Sequence, residues 1–179
     1  MGTKRNPFQM WTSDRLGVDF AERRGLSSDD VSYRRILVGT DGSPPSLKSV
    51  REAAMLAKAM DAELLVMTAY EPVDQATLER WKDEAPAEFS WRFSPSSGAE
   101  EAVEKGLEAA REFGVEGKPI VEQGEAGEAL IRVAERDGVD LMVVGNRGMA
   151  GPTRFLLGSV PNKVSHAAPC DVLIVHTVG

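Results

Sequence analysis

The chain predicts an α/β doubly wound fold with a parallel sheet, and three observations carry that expectation. Ile36-Leu37-Val38, Leu64-Leu65-Val66-Met67, Leu141-Met142-Val143-Val144 and Val172-Leu173-Ile174-Val175 are short apolar runs, as expected of strands buried on both faces. Stretches with helical spacing separate them, so strand and helix alternate along the chain. Two of the runs end in glycine-containing turns, Gly39-Thr40-Asp41-Gly42 and Gly145-Asn146-Arg147-Gly148. Parallel sheets of this class bind ligands outside the carboxyl ends of such strands.

Taken in order, the first strand starts at Arg34 or Arg35 and turns at Gly42, after which Ser43 is an N-cap and Pro44 a first-turn residue. Leu47, Val50, Ala54 and Ala57 then recur at helical spacing to about Met60. Glu63 to Tyr70 is the second strand, which completes a parallel βαβ unit. From Glu71 to Gly98 the pattern fails. Trp81, Phe89, Trp91 and Phe93 lie there among prolines, serines and acids, which leaves a lid, a partner surface or a mobile loop as readings of this insert, 71–98.

Helical order returns from Ala99 to Phe113 and closes at Gly114. Lys118 to Glu122 is a third strand. Ala126 to Arg136, with Ala129, Leu130, Val133 and Ala134 on one face, is a helix that stops at Asp137-Gly138. The fourth strand follows, then a helix from Ser159 to about Ala167, then a terminal strand from Asp171 to His176. Five strands result. Residues 1–33 show no clean period and read as an N-terminal extension, either flexible or packed through its few apolar side chains, with the core domain spanning 34–179.

The composition excludes several classes of function. With 179 residues, 42% hydrophobic and 27% charged, the chain suits one sizeable domain. A net charge of −7 argues against a nucleic-acid surface, which demands clustered Lys and Arg. Cys170 is the only cysteine, so no intrachain disulfide forms and a reducing compartment is expected. No apolar run approaches the roughly 18 to 20 residues of a membrane span. Residues 1–10 lack the apolar stretch of a secretory signal, and Asn6 stands where a myristoylation site wants Ser or Thr. A cytoplasmic location is the expectation.

The stretch Val139 to Val160 reads as a strand, loop and helix start that cradle a phosphate. Gly145, Gly148 and Gly158 let a ligand approach the backbone. Pro161 belongs in a first helical turn, which makes Ser159 the expected N-cap and leaves the N–H groups near it free for an anion. The same glycines also suit a plain strand-to-helix turn. If the first and fourth strands are adjacent, their loops face each other across one crevice. Asp41 would then accept from a ribose hydroxyl and Arg147 would pair with a phosphate. An Asx turn and a solvated loop charge are the simpler readings of those two residues.

Val38-Gly39-Thr40-Asp41-Gly42-Ser43, then Gly145-x2-Gly148-x9-Gly158-Ser159, then the closing strand Val172 to Val175, resemble the universal stress protein family in its nucleotide-binding branch. The resemblance covers residues 34 to 179. It implies a Rossmann-like, adenine nucleotide alpha hydrolase-like fold of three α/β/α layers around five parallel strands. It further implies a regulatory role, ATP or a relative (ADP, AMP, cyclic AMP) in the crevice, and a homodimer through the last strand, 171–176. Carried over by position, Asp41 is the ribose and adenine contact, Gly39 and Thr40 line its loop, and Ala69 is a backbone position near the adenine. Val144, Gly145, Arg147, Gly148, Gly158, Ser159 and Val160 match the ribose and phosphate loop. The insert at 71–98, Pro152 inside the nine-residue spacer and the leading extension depart from the family pattern.

Catalysis finds little support in the side chains. His166, His176 and Cys170 sit in a helix tail, the final strand and a turn, and Gly117-Lys118 is followed by Pro119, so no P-loop exists. Slow ATP hydrolysis or self-phosphorylation, which needs only a metal such as Mg²⁺ and a placed water, stays open. A phosphate-accepting signalling domain would want an acidic pair beside Asp41 and a Lys after the last strand, and neither is present. A pure interaction protein would have no use for the glycine loop. Cyclic AMP is the rival ligand, since one Arg and few other cations suit a single cyclic phosphate.

Overall fold

The computed structural model describes residues 33–71, 96–146 and 157–177. Within them the chain runs β1 (Arg35–Gly39), α1 (Pro44–Met60), β2 (Glu63–Tyr70), α2 (Ser97–Arg111), β3 (Lys118–Gln123), α3 (Ala126–Asp137), β4 (Leu141–Gly145), α4 (Ser159–Ala167) and β5 (Asp171–Val175). The five strands form one sheet in the order β3-β2-β1-β4-β5, every pair parallel. This is the doubly wound arrangement expected.

The alternation of side chains along each strand divides the apolar runs between two faces. Ile36, Val38, Leu64, Val66, Leu141 and Val143 point to one face, where Val50, Ala53, Ala54 and Ala57 of α1 and Val103, Leu107 and Ala110 of α2 cover them. Leu37, Leu65, Met67, Met142 and Val144 point to the other, under Ala129, Leu130, Val133 and Ala134 of α3 and Val164 of α4. Burial on both faces is why these strands read as continuous apolar runs. Helices on both sides make three layers.

Chain reversals follow local chemistry. Ser43 caps α1 by accepting from Ser46 N, with Pro44 in the first turn, and Gly138 ends α3 in the left-handed conformation at φ 62. Some boundaries differ from the sequence expectation. Helix α2 begins at Ser97, two residues before its first apolar position, and yields to a turn after Arg111. Strand β5 ends at Val175, so His176 lies beyond it.

Ser159 is the first helical residue of α4 rather than its N-cap. Gly158 holds the cap position, in extended conformation, and its carbonyl takes Asn162 N at 3.1 Å. Pro161 is therefore third in the helix, where its missing N–H costs nothing because that donor has no intrahelical partner anyway. Residues 1–32 of the expected extension and most of the insert at 71–98 lie outside the described residues, whereas Tyr33 packs on the core and donates to Asp171 Oδ2 at 3.0 Å.

Candidate functional site

Strands β1 and β4 are neighbours, with Val38 paired to Val143. From β1 the chain winds outward through β2 to β3, and from β4 it winds the other way to β5. Sheet order thus reverses between β1 and β4, the kind of switch point at which parallel sheets open a crevice beyond the strand ends. A cavity of about 310 Å³ sits there.

One wall is the turn after β1. Thr40 and Ser46 are both 7% exposed, and their hydroxyls lie 2.9 Å apart. Thr40 Oγ1 also accepts from Gly42 N, and Ser46 Oγ accepts from Asp41 N at 3.3 Å while donating to Ser43 O. Every atom that could let this turn drift is tied back to it. At Gly42, φ 74, a Cβ would stand 3.0 Å from the α-carbon of Ala102, so a side chain there would be both strained and crowded. Thr68 Oγ1 of β2 donates to Thr40 O at 2.7 Å, and Thr40 N donates to Met67 O, so the turn is fixed to the next strand as well.

Asp41 sits at the exposed rim of this wall. Its Oδ1 accepts from Ser43 N at 3.0 Å and Ser43 Oγ at 2.5 Å, which is the Asx turn anticipated for it. Partial burial pushes the carboxyl upward, but hydrogen bonds from Ser43 and Ser46 outweigh this and hold it below the usual carboxylate value. The group is anionic at neutral pH and accepts only. It also lines the cavity, so the turn and a ligand contact are compatible.

The facing wall comes from β4 and the start of α4. Val144, Gly145, Gly158, Ser159 and Val160 line it. Gly158 N donates to Asn146 O at 3.0 Å, which brings the start of α4 against the end of β4. Among the described residues the N–H groups of Ser159 and Val160 have no backbone acceptor, since the first intrahelical bond belongs to Asn162. Two donors and the positive end of a nine-residue helix therefore border the cavity. The floor is apolar, formed by Met67 and Ala69 of β2 and Leu130 of α3. Gly39 allows that floor to close, because a Cβ there would meet Leu130 Cδ1 at 3.2 Å.

Gly39, Thr40, Asp41, Ala69, Val144, Gly145, Gly158, Ser159 and Val160 thus converge on one cavity. Arg147 and Gly148 lie outside the described residues. Ser46, Met67, Thr68, Ala126, Leu130 and Pro161 also line it and were not singled out from sequence. Two of these carried a readable signal. Thr68 is a polar residue inside an apolar strand, and Ser46 stands one turn into α1, where side chains lean back over the strand end. Leu130 and Met67 read only as core. His166, His176 and Cys170 do not line the cavity, and among the described residues no three His, Cys, Asp or Glu side chains cluster to hold a metal.

Comparison with known proteins places this geometry. The model of the universal stress protein family matches residues 32–176. The universal stress protein Rv1636 of Mycobacterium tuberculosis is 40% identical over 151 residues, covering 82% of this chain and 98% of the relative. A crystal structure of a universal stress protein in complex with cAMP is 33% identical with a TM-score of 0.59, covering 82% of this chain and 99% of that one. An Arabidopsis thaliana universal stress protein family protein, crystallised with AMP bound, shares the fold at 17% identity and a TM-score of 0.57, covering 80% and 91%.

Proposed function

Because the chain belongs to the universal stress protein family, we propose that it is a stress-response regulator that binds an adenine nucleotide, ATP foremost, in the cavity between β1 and β4. The observation that carries this reading is the placing of three different chemistries around one space. An acceptor-only carboxylate, Asp41, suits the ribose hydroxyls; Met67, Ala69 and Leu130 suit a purine face; Ser159 and Val160 N–H suit a phosphate. At about 310 Å³ the cavity is at the small end of ligand sites, which fits a nucleoside with its phosphates at the mouth.

In this reading Gly39 and Thr40 shape the ribose side, Ala69 lies beside the adenine, and Val144, Gly145 and Gly158 give the phosphates room. Arg147 and Gly148 complete the loop, Arg147 pairing with the outer phosphates. In this reading Mg²⁺ would accompany the triphosphate and supply neutralising charge to it. Among the described residues that line the cavity Asp41 alone is titratable, and Ser43 already engages its carboxylate, so in this reading the protein binds rather than turns over, with slow ATP hydrolysis or self-phosphorylation the limit of its chemistry.

The domain is taken as 34–179, with 1–33 an extension and 71–98 an insert. It acts in the cytoplasm as a homodimer. Strand β5 has only β4 as a neighbour among the described strands, and Leu173 on it is 37% exposed, so an apolar edge is left to pair with its two-fold mate. Among the described residues no helix is long and apolar enough to cross a membrane.

A second reading is supported by the cAMP complex of a 33% identical protein, namely that cyclic AMP is the ligand. Two helix donors suffice for one cyclic phosphate. Calorimetric titration of ATP, ADP, AMP and cyclic AMP, with and without Mg²⁺, tests both. ATP binding at one site per chain is the expected result. Binding of cyclic AMP alone selects the second reading, and no binding by any of the four overturns both.

A further inference from the structure

Asn146 follows the last residue of β4 and does not line the cavity, yet three segments meet on it. Its N–H donates to Val175 O at 2.8 Å, which extends the β4–β5 ladder by one step. In a parallel ladder a residue that donates to position 175 accepts from position 177 through its own carbonyl. That second bond is diverted here. Thr177 N donates instead to the side-chain Oδ1 of Asn146 at 2.8 Å, and Thr177 Oγ1 donates to the same atom at 2.8 Å. The main-chain carbonyl of Asn146 is thereby released to accept Gly158 N at 3.0 Å.

A side-chain amide carbonyl imitates a peptide carbonyl, and a short polar side chain can substitute for it locally. Asn146 uses this to satisfy two donors that compete for one group, the tail after β5 and the cap of α4. Gly158 is the residue that starts α4, and the next two N–H groups are those at the cavity edge. We propose that Asn146 is a positioning residue: its side chain substitutes for its own carbonyl in the ladder to Thr177, and so holds Gly158, Ser159 and Val160 against the end of β4 at the cavity. Affinity of the site for nucleotide then depends on the segment after β5, through Thr177, although no described residue of that segment lines the cavity.

The consequence for ligand affinity rests on the nucleotide-binding reading above, whereas the exchange of carbonyl partners does not. The test separates them by following amide hydrogen exchange by NMR in the nucleotide-free protein and, in parallel, the affinity for ATP and cyclic AMP. In Asn146→Ala, Thr177 N should take over the main-chain carbonyl. Exchange at Gly158 should rise by about tenfold, protection at Thr177 should persist, and amides in the central strands, such as Val38 and Val66, should not change. Thr177→Val removes one of the two donors to Oδ1 without changing shape and should raise Gly158 exchange about three- to tenfold, while Thr177→Ser should restore it. Nucleotide affinity should fall in the same order. Unchanged Gly158 exchange in Asn146→Ala and in Thr177→Val overturns the proposal, and the Thr177 pair decides alone if Asn146→Ala does not fold. Should the wild-type protein bind no nucleotide, the functional reading fails, and the exchange at Gly158 still decides the role of Asn146.

Discussion

Val38 of β1 and Val143 of β4 are paired in the parallel ladder, side by side at the centre of the sheet. This pairing puts the turn after β1 and the start of α4 on opposite sides of one crevice. The Asp41 carboxylate and the helix start at Ser159 both border the same cavity as a result.

Gly158 has φ −59 and ψ 168, a conformation open to any L-residue, so its use is space rather than backbone freedom. Gly158→Val should therefore fold with a normal thermal transition while its side chain fills the room beside the Ser159 and Val160 donors. Loss of ATP binding by at least a hundredfold in calorimetry is expected. Undiminished affinity in the folded variant removes Gly158 from the site.

The Asp41 carboxyl is held below its usual value by Ser43 and Ser46, so it binds fewer protons folded than unfolded in that range. Its contribution to stability is complete above the unfolded value and is lost as pH falls through the folded one. The stability difference between wild type and Asp41→Asn should stay constant from about pH 7 to 5 and close below about pH 4. Urea unfolding across that range measures it. A difference that stays constant down to about pH 3 would show that ionisation of Asp41 contributes nothing to folding stability.

How much of this was legible beforehand depended on whether the signal was local. The existence of β1, β2, β4 and β5 follows from apolar runs, and the start of α1 from Ser43 and Pro44, because those features act within a few residues, whereas the ends of β3 and β5 lie one residue from where they were expected. The pairing of β1 with β4 is long-range, and the sequence alone supported it only as a condition on which the crevice depended. Ser159 was placed one step off because Pro161 is compatible with either of two helix starts, and the choice is made by Asn146 O and Gly158 N, a contact between distant residues. Leu130 has the pattern of a core residue and is one; that its packed face also forms a cavity floor is decided by the missing Cβ of Gly39.

Gly106 shows how tightly α2 lies on the sheet under the site. A Cβ there would stand 2.7 Å from Val66 Cγ1 and 3.2 Å from Thr40 Cγ2. Overpacking of this kind costs about 1–3 kcal/mol, against a helix gain of about 1 kcal/mol for replacing glycine. Gly106→Ala should lose up to roughly 2 kcal/mol in denaturant unfolding. Greater stability in the variant would mean that α2 shifts freely over Val66.

Leu173 tests the proposed association. A lysine at this exposed position on the edge strand places like charges near the two-fold axis of a paired sheet and blunts the edge. The wild type should sediment as a dimer if the proposal holds, and Leu173→Lys as a monomer at the same concentration with unchanged secondary structure. Identical sedimentation of the two proteins would place any interface elsewhere.

If an adenine nucleotide occupies the space between the ends of β1 and β4, titration of labelled protein with ATP will register it amide by amide in NMR spectra. The largest shifts should fall on Thr40, Asp41, Ala69, Gly145, Ser159 and Val160, with the Ser159 and Val160 signals moving as their N–H groups gain a phosphate acceptor. Shifts confined to other surfaces, or none at saturating ATP, would contradict that occupancy.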